Sequence, residues 1–103
     1  MEKKYNIIYL PLFYEDLDKI TDYIVYKLNN NIAAHELLSE IEKEINARAY
    51  NPENYEKYNP MRKKKKDYYR IYVKKYTIFY IVEDNKMKIM RILYSKRNFK
   101  NLI

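Results

Sequence analysis

The hydrophobic positions change their period along the first half of the chain. Residues 5–10, "YNIIYL", form a short apolar run that ends at Pro11, and the β-branched residues in it predict a strand. Apolar residues then recur at helical spacing over residues 12–28 and again over residues 33–49. The sequence "NNN" at 29–31 is suited to ending one helix and capping the next. The pattern predicts a strand followed by an antiparallel helical hairpin.

Each predicted helix carries one apolar stripe, and the two stripes are candidates for the core. Their members are Phe13, Leu17, Ile20, Ile24 and Leu28 in the first helix, and Ala34, Leu37, Leu38, Ile41 and Ile45 in the second. His35 lies off the second stripe, so we expect it to face solvent. Glu15 and Asp16 lie near the positive end of the first helix dipole, which favours acidic side chains.

The second half of the chain predicts a loop and three strands. The pair Asn51-Pro52 ends the second helix, and residues 51–67 show no periodicity. The three strands are "DYYRIYVK" (67–74), "YTIFYIVE" (76–83) and "MKIMRILY" (87–94), with a turn at Asp84-Asn85. The order β-α-α-β-β-β predicts an α+β fold over residues 1–103 as a single domain. We expect an antiparallel four-stranded sheet, including the N-terminal strand, with the helical hairpin packed on one face.

Alternation along the first of these three strands separates two faces. The apolar residues are Tyr69, Ile71 and Val73, and the basic and aromatic ones are Tyr68, Arg70, Tyr72 and Lys74. We expect the second set to point outward, away from the helices. In the last strand Arg91 shares a face with Ile89 and Leu93 by period. It is therefore either paired at the edge of the core or lifted to the rim of the sheet, and a structural role is favoured. Met87 and Met90 are expected in the core.

Composition narrows the classes of function. The chain has 103 residues and a formal charge of +7, which favours phosphate-bearing or acidic partners. It has no cysteine and one histidine, which excludes disulfides and thiolate metal sites and removes most zinc and triad chemistries. We therefore expect no metal and no cofactor. The N-terminal apolar run is too short for a signal core or a membrane span, so we expect a cytoplasmic protein that does not contact membranes.

A run of five cations precedes the first of the three strands. Its members are Arg62, Lys63, Lys64, Lys65 and Lys66. One interpretation is a solvated loop; the other is a border of the face that carries Arg70, where the charge attracts nucleic acid or an acidic partner through counterion release. We interpret the run as a steering element and not as a catalytic one.

Three quoted segments together resemble the RelE/ParE superfamily of bacterial type II toxin–antitoxin toxins. They are "DLDKITDYI" in the first helix, "PENY" after the second, and the C-terminal block "YYRIYVKKYTIFYIVEDNKMKIMRILYSKRNF". The resemblance covers nearly the whole chain. It implies a small basic toxin that arrests growth and is neutralised by a cognate acidic antitoxin wrapped around it.

Two mechanisms occur in this superfamily, and the resemblance implies one of them. RelE-like members cut mRNA in the ribosome, and ParE-like members poison DNA gyrase. Arg70 and Arg97 match basic positions of the nucleases. However, Thr77 falls where nuclease members usually carry arginine, and Ile103 falls about where their catalytic tyrosine stands. The resemblance therefore favours the ParE-like branch.

The nuclease alternative nevertheless has candidate residues. Cleavage of RNA without a metal needs a base, an acid and cations around the phosphate. Arg70, Lys96 and Arg97 are the candidate cations, Tyr94 is a candidate proton donor, and no base is evident. Tyr68, Tyr72 and Lys74, with the cations at 62–66, are candidates for binding a target or nucleic acid. Arg70 and Arg97 could equally pair with the antitoxin or with surface carboxylates. A third alternative is a non-toxic binding domain left from a degenerate toxin.

Overall fold

The computed structural model describes residues 3–58 and 67–97, which form one mixed sheet with two helices. The elements are β1 (Asn6–Tyr9), α1 (Pro11–Asp22), a π-helical turn (Tyr23–Lys27), α2 (Asn31–Arg48), β2 (Lys57–Tyr58), β3 (Tyr68–Val73), β4 (Tyr76–Glu83) and β5 (Lys86–Tyr94). The strand order in the sheet is β1-β5-β4-β3-β2. The α+β class and the predicted succession of helices and main strands are confirmed.

Two features of the sheet differ from the prediction. β1 pairs with β5 in parallel, whereas all other neighbouring strands are antiparallel. No tight turn joins β1 to β5, so their relative direction is not fixed by a hairpin. The segment predicted as a loop also contains β2, a fifth strand of two residues. The ring of Tyr58 in β2 packs 5.9 Å from the ring of Phe79, which attaches this short strand to the sheet.

The helical hairpin is formed as the asparagines predict. α1 begins at Pro11, where the missing N–H of proline costs no helical hydrogen bond. Asn29 adopts a left-handed φ of 50°, and the side chain of Asn30 accepts a 2.9 Å hydrogen bond from the backbone N–H of Ala33. The turn between β4 and β5 also uses left-handed backbone, with φ of 51° at Asp84 and 61° at Asn85.

The main core lies between the hairpin and one face of the sheet. Most of the predicted stripe residues are buried or half-buried there, and His35 is exposed as expected. Two predicted core residues are not: Leu28 is 55% exposed and Leu38 is 40% exposed. Leu28 follows the π-helical turn, which has more residues per turn than an α-helix and so rotates later side chains off the stripe. Leu38 neighbours the buried Leu37 and lies on the outer flank of α2.

A second, smaller apolar cluster lies on the opposite face of the sheet. Its buried members are Tyr68, Phe79, Ile81 and Leu93, with Tyr58 and Met90 packed against them. Tyr68 points away from the helices as predicted, but it is buried in this cluster and is not exposed to solvent. Its ring occupies the apolar patch around Phe79 because strand alternation places both on this face.

A β-bulge in β5 determines which residues reach each face. Tyr80 pairs with Ile89 and Phe79 pairs with Arg91, so Met90 is an extra residue. The bulge reverses the alternation, and Ile92 instead of Leu93 joins Ile89 in the main core. The prediction that Ile89 and Leu93 share a face is wrong for this reason. The core positions predicted for Met87 and Met90 agree with full burial of the first and half-burial of the second.

Candidate functional site

Two surfaces on opposite sides of the sheet carry the candidate functional residues. The first, which we call the cation–ring face, consists of Tyr58, Arg70 and Tyr72 on β2 and β3. The second, which we call the groove, runs between the helical hairpin and the turn that joins β3 to β4. The sheet lies between them because Arg70 is paired opposite Phe79 of the second cluster, whereas the groove is continuous with the main core.

The cation–ring face places one guanidinium between two phenol rings. The Cζ atom of Arg70 lies 4.1 Å from the ring centroid of Tyr58 and 5.7 Å from that of Tyr72. Arg70 is half-buried, and Tyr72 is 62% exposed. The outward direction predicted for Arg70 and Tyr72 agrees with the structure. Their role in binding stays a prediction.

Arg48 at the end of α2 fixes the backbone of β3 at this position. Its Nη1 donates 3.1 Å hydrogen bonds to the carbonyl oxygen of Arg70 and to the hydroxyl of Tyr80. Its Cζ atom lies 3.4 Å from the ring centroid of Tyr55, so the guanidinium is stacked as well as hydrogen-bonded. The Tyr80 hydroxyl donates a 2.7 Å hydrogen bond to the carbonyl oxygen of Pro52. Nothing in the sequence pattern indicated this role for Arg48.

Burial raises the pKa of Tyr80 to about 12, although the hydrogen bond from Arg48 opposes that shift. The phenol therefore stays neutral and keeps its proton for the Pro52 carbonyl. The Tyr80 hydroxyl is thus a structural anchor for the segment after α2.

The groove is an apolar channel with a basic rim. Its volume is about 740 Å³, within the range of small-ligand and peptide sites. The lining residues come from α1, the π-helical turn, α2, the β3–β4 turn and the end of β5. Lys19, Lys74 and Lys75 contribute positive charge, and among the described residues Glu36 contributes the one negative charge of the lining. The sequence analysis missed Lys19 and Lys75 because only the tertiary fold brings them together.

Two predicted site residues belong to the groove and not to the cation–ring face. Lys74 lies in the β3–β4 turn with a left-handed φ of 52°, so the strand alternation that predicted its direction does not extend to it. Tyr94 also lines the groove, and its ring centroid lies 6.1 Å from that of Tyr76. Burial raises the pKa of Tyr76. The side chains of Tyr94 and Arg70 therefore lie on opposite faces of the sheet, and the catalytic role of Tyr94 stays a prediction.

The catalytic role predicted for two further cations, Lys96 and Arg97, stays a prediction. Lys96 and Arg97 lie exposed in the turn after β5, where the Arg97 backbone N–H donates a 3.0 Å hydrogen bond to the Tyr94 carbonyl. Thr77 is fully buried and shares a 2.8 Å hydrogen bond with the hydroxyl of Ser95. The basic run 62–66 and Ile103 lie outside the described residues.

The described residues contain neither a metal-binding cluster nor a membrane-spanning helix. Within 3–58 and 67–97, no cluster of three or more histidine, cysteine or acidic side chains is arranged to hold a metal ion. Over the same ranges, no helix is both long enough and apolar enough to cross a bilayer.

The fold is that of a small α+β domain already seen in a toxin–antitoxin complex. A chain of the RelB-RelE antitoxin-toxin complex from Methanococcus jannaschii is similar, with a TM-score of 0.53 and 19% sequence identity, over 93% of this chain and 99% of that one. The model of the ParE toxin of type II toxin-antitoxin systems matches residues 7–99. The chain belongs to the ParE toxin family. No curated protein matches it significantly in sequence.

Proposed function

We propose that this chain is a growth-arresting toxin that acts by binding DNA gyrase in the cytoplasm, and that it has no catalytic chemistry of its own. The observation that carries this proposal is the match to the ParE toxin family over residues 7–99. Resemblance to ParE-like toxins implies gyrase as the target, whereas resemblance to RelE-like toxins implies ribosome-bound mRNA.

The arrangement of the candidate catalytic residues supports binding over cleavage. A nuclease needs its acid, its base and its cations around a single phosphate. Here the sheet separates Tyr94 from Arg70, and Thr77 is buried where the nucleases usually carry an arginine. No residue in 3–58 or 67–97 combines with Arg70 to form an acid–base pair. A toxin that works by occupying its target does not need such a set.

We propose further that a cognate acidic antitoxin neutralises the toxin by placing an amphipathic segment in the groove. The groove suits such a partner because it has an apolar lining and, among the described residues, a rim in which three lysines oppose one glutamate. Apolar residues of the partner would bury against Tyr23, Ile24 and Tyr76, and its carboxylates would lie near the lysines. Such a segment pays its ordering entropy on binding, so it can be disordered when free.

Two assays on the full chain distinguish the targets. Purified toxin is added to DNA gyrase with relaxed plasmid, and mRNA from induced cells is examined by primer extension. We expect loss of supercoiling with intact mRNA. Cleaved mRNA that appears before any DNA-damage response would reject the gyrase proposal in favour of an endoribonuclease. Growth that continues after induction would reject both toxic mechanisms and leave a non-toxic binding domain.

A further inference from the structure

We propose that a polar cavity at the end of the sheet opposite the groove binds a guanine nucleotide. The cavity lies where the segment before β1, the loop after α2 and the β4–β5 turn meet, and its volume of about 360 Å³ suits a small ligand. None of its described lining residues lines the groove, and neither gyrase nor antitoxin binding requires it, so the site goes beyond the proposed function. The lining residues that carry the argument are Lys3, Lys4, Tyr50, Glu53, Asn54 and Asn85.

The walls of this cavity are held in place by hydrogen bonds that do not depend on a ligand. The backbone N–H of Asn6 donates a 3.2 Å hydrogen bond to the carbonyl of Asn85, which joins the start of β1 to the β4–β5 turn. The loop after α2 is held by the 2.7 Å hydrogen bond from the Tyr80 hydroxyl to the Pro52 carbonyl. A ligand therefore binds without first ordering these segments, which lowers the entropic cost of binding.

The cavity contains one carboxylate and two ammonium groups that do not neutralise one another. No cation among the described residues forms an ion pair with Glu53, whose Oε1 accepts a 3.0 Å hydrogen bond from the Tyr5 hydroxyl. This hydrogen bond raises the pKa of Tyr5, so the phenol stays a donor and the carboxylate keeps its other lone pairs for a ligand.

The two lysines of the cavity have donors available for an anion. Lys3 has no carboxylate partner among the described residues. The Nζ atom of Lys4 donates a 2.8 Å hydrogen bond to Asn46 Oδ1, which leaves two of its three N–H donors. Ammonium groups bind phosphate oxygens through charge-assisted hydrogen bonds. A ligand that carries both a phosphate and N–H donors would satisfy the lysines and Glu53 together.

Guanine is the base that the remaining groups fit. Its Watson–Crick edge presents adjacent N–H donors at N1 and N2, which match the two oxygens of the Glu53 carboxylate, whereas adenine presents an acceptor at N1. The side-chain amides of Asn54 and Asn85 make no hydrogen bond within the part of the chain that the structure describes, so each can donate to O6 or N7 of the base. The ring of Tyr50 is 45% exposed, which leaves surface on which a base can stack.

The test is isothermal titration calorimetry of the full chain with guanosine 5′-monophosphate. We expect saturable binding of one nucleotide per chain. Adenosine 5′-monophosphate should bind at least about tenfold more weakly, because adenine cannot donate twice to Glu53. Guanosine should also bind more weakly than its monophosphate, because it has no phosphate for the lysines.

Two variants assign the contacts to residues. Glu53→Gln should weaken binding of the guanine nucleotide by about tenfold and reduce its preference over the adenine nucleotide. Lys3→Ala should weaken binding of the guanine nucleotide and leave binding of guanosine unchanged. Glu15→Gln and Lys43→Ala are the matched controls, because they make the same charge changes at exposed positions of α1 and α2 outside the cavity lining. Both controls should bind the nucleotide as the wild type does.

Nuclear magnetic resonance of the wild-type chain gives a second readout, which holds even if a variant fails to fold. The side-chain amide signals of Asn54 and Asn85 should shift when guanosine 5′-monophosphate is added. Four outcomes would overturn the proposal: no saturable binding, equal affinity for the two nucleotides, equal weakening by Glu53→Gln and Glu15→Gln, or shifts confined to residues outside the cavity. None of these measurements involves gyrase, so a failure here is distinct from a failure of the proposed function.

Discussion

The guanidinium of Arg91 holds the carboxylate of Asp16 through two hydrogen bonds, of 2.7 Å from Nε and 2.8 Å from Nη2. The same carboxylate accepts a 3.2 Å hydrogen bond from the backbone N–H of Ile92. This N–H lies beyond the end of β1, which pairs with β5 only as far as Ile89. Asp16 thus supplies an acceptor where the neighbouring strand is missing, and the pair attaches α1 to the edge of the sheet beside the β-bulge.

Asp16→Asn should therefore destabilise the fold. The substitution removes the charge from a pair whose side chains are mostly buried, and it leaves Arg91 with a neutral partner. We expect the free energy of unfolding to fall by about 1–3 kcal/mol, the usual cost of disrupting a buried hydrogen bond to a charged group. Urea denaturation measures it. Asp18→Asn, on the exposed side of the same helix, is the control and should change stability little; equal losses in both variants would contradict the role of the pair.

Tyr80→Phe should lower the free energy of unfolding. It should also make that free energy decrease less steeply as the pH rises above 10. The hydroxyl bonds Pro52 and Arg48, and its removal leaves a buried carbonyl without that donor, at a cost of about 1–3 kcal/mol. The pKa of Tyr80 is raised to about 12 in the folded state, above its ordinary value of 10.0. Its contribution is therefore complete below pH 10 and declines as pH rises towards 12, because the unfolded chain releases the proton first.

The measurement for Tyr80 is a series of urea denaturations from pH 8 to pH 12. Other tyrosines also titrate in this range, so the informative quantity is the difference in slope between the wild-type chain and the variant. Tyr72→Phe serves as the control because this phenol is exposed. Identical slopes for the wild type and Tyr80→Phe would show that burial of this hydroxyl does not shift its proton affinity.

Lys75→Glu should weaken binding of the antitoxin. The proposed partner is acidic, and the substitution reverses one of the three positive charges on the rim of the groove. We expect the association rate to fall more than the dissociation rate rises, and the effect to shrink as salt is added. Lys43→Glu makes the same charge change on an exposed position of α2 outside the groove lining. Surface plasmon resonance measures the binding of the antitoxin to both variants. Equal effects would indicate that the antitoxin responds to the net charge of the toxin and not to the groove.

The alternation and helical periodicity of the sequence were sufficient to predict the main helices and strands. Most stripe residues of both helices, the asparagine turn and the three strands of the second half agree with the structure because each depends on local pattern. The faces of β5 could not be predicted, because the extra residue Met90 creates a bulge that interrupts the alternation. The predicted burial of Leu28 is wrong for a similar reason, because the π-helical turn before this residue changes the helical period.

The candidate site was predictable only along one strand. Arg70 and Tyr72 could be placed outward from their own alternation. Their neighbour Tyr58 was missed because a two-residue strand leaves no periodic signal. The groove was missed as a unit, because Lys19 is more than 50 positions from Lys74 and Lys75 in sequence and meets them only after the hairpin packs on the sheet. Proximity across elements is tertiary information, which local patterns do not contain.

Tyr94→Phe should leave growth arrest intact if the toxin acts by binding gyrase. A phenol that donates a proton during RNA cleavage cannot be replaced by phenylalanine, so a nuclease that used it would lose most of its toxicity. In this structure the ring of Tyr94 packs against Tyr76 in the groove, and phenylalanine can fill the same space. Induction of each variant in liquid culture, with growth followed by optical density, gives the answer.

Arg97→Ala is the companion test, because loss of a transition-state cation would abolish cleavage, whereas a binding toxin should lose only part of its activity. Full loss of growth arrest in both variants, with the protein folded and expressed at the wild-type level, would reverse the choice between the two mechanisms.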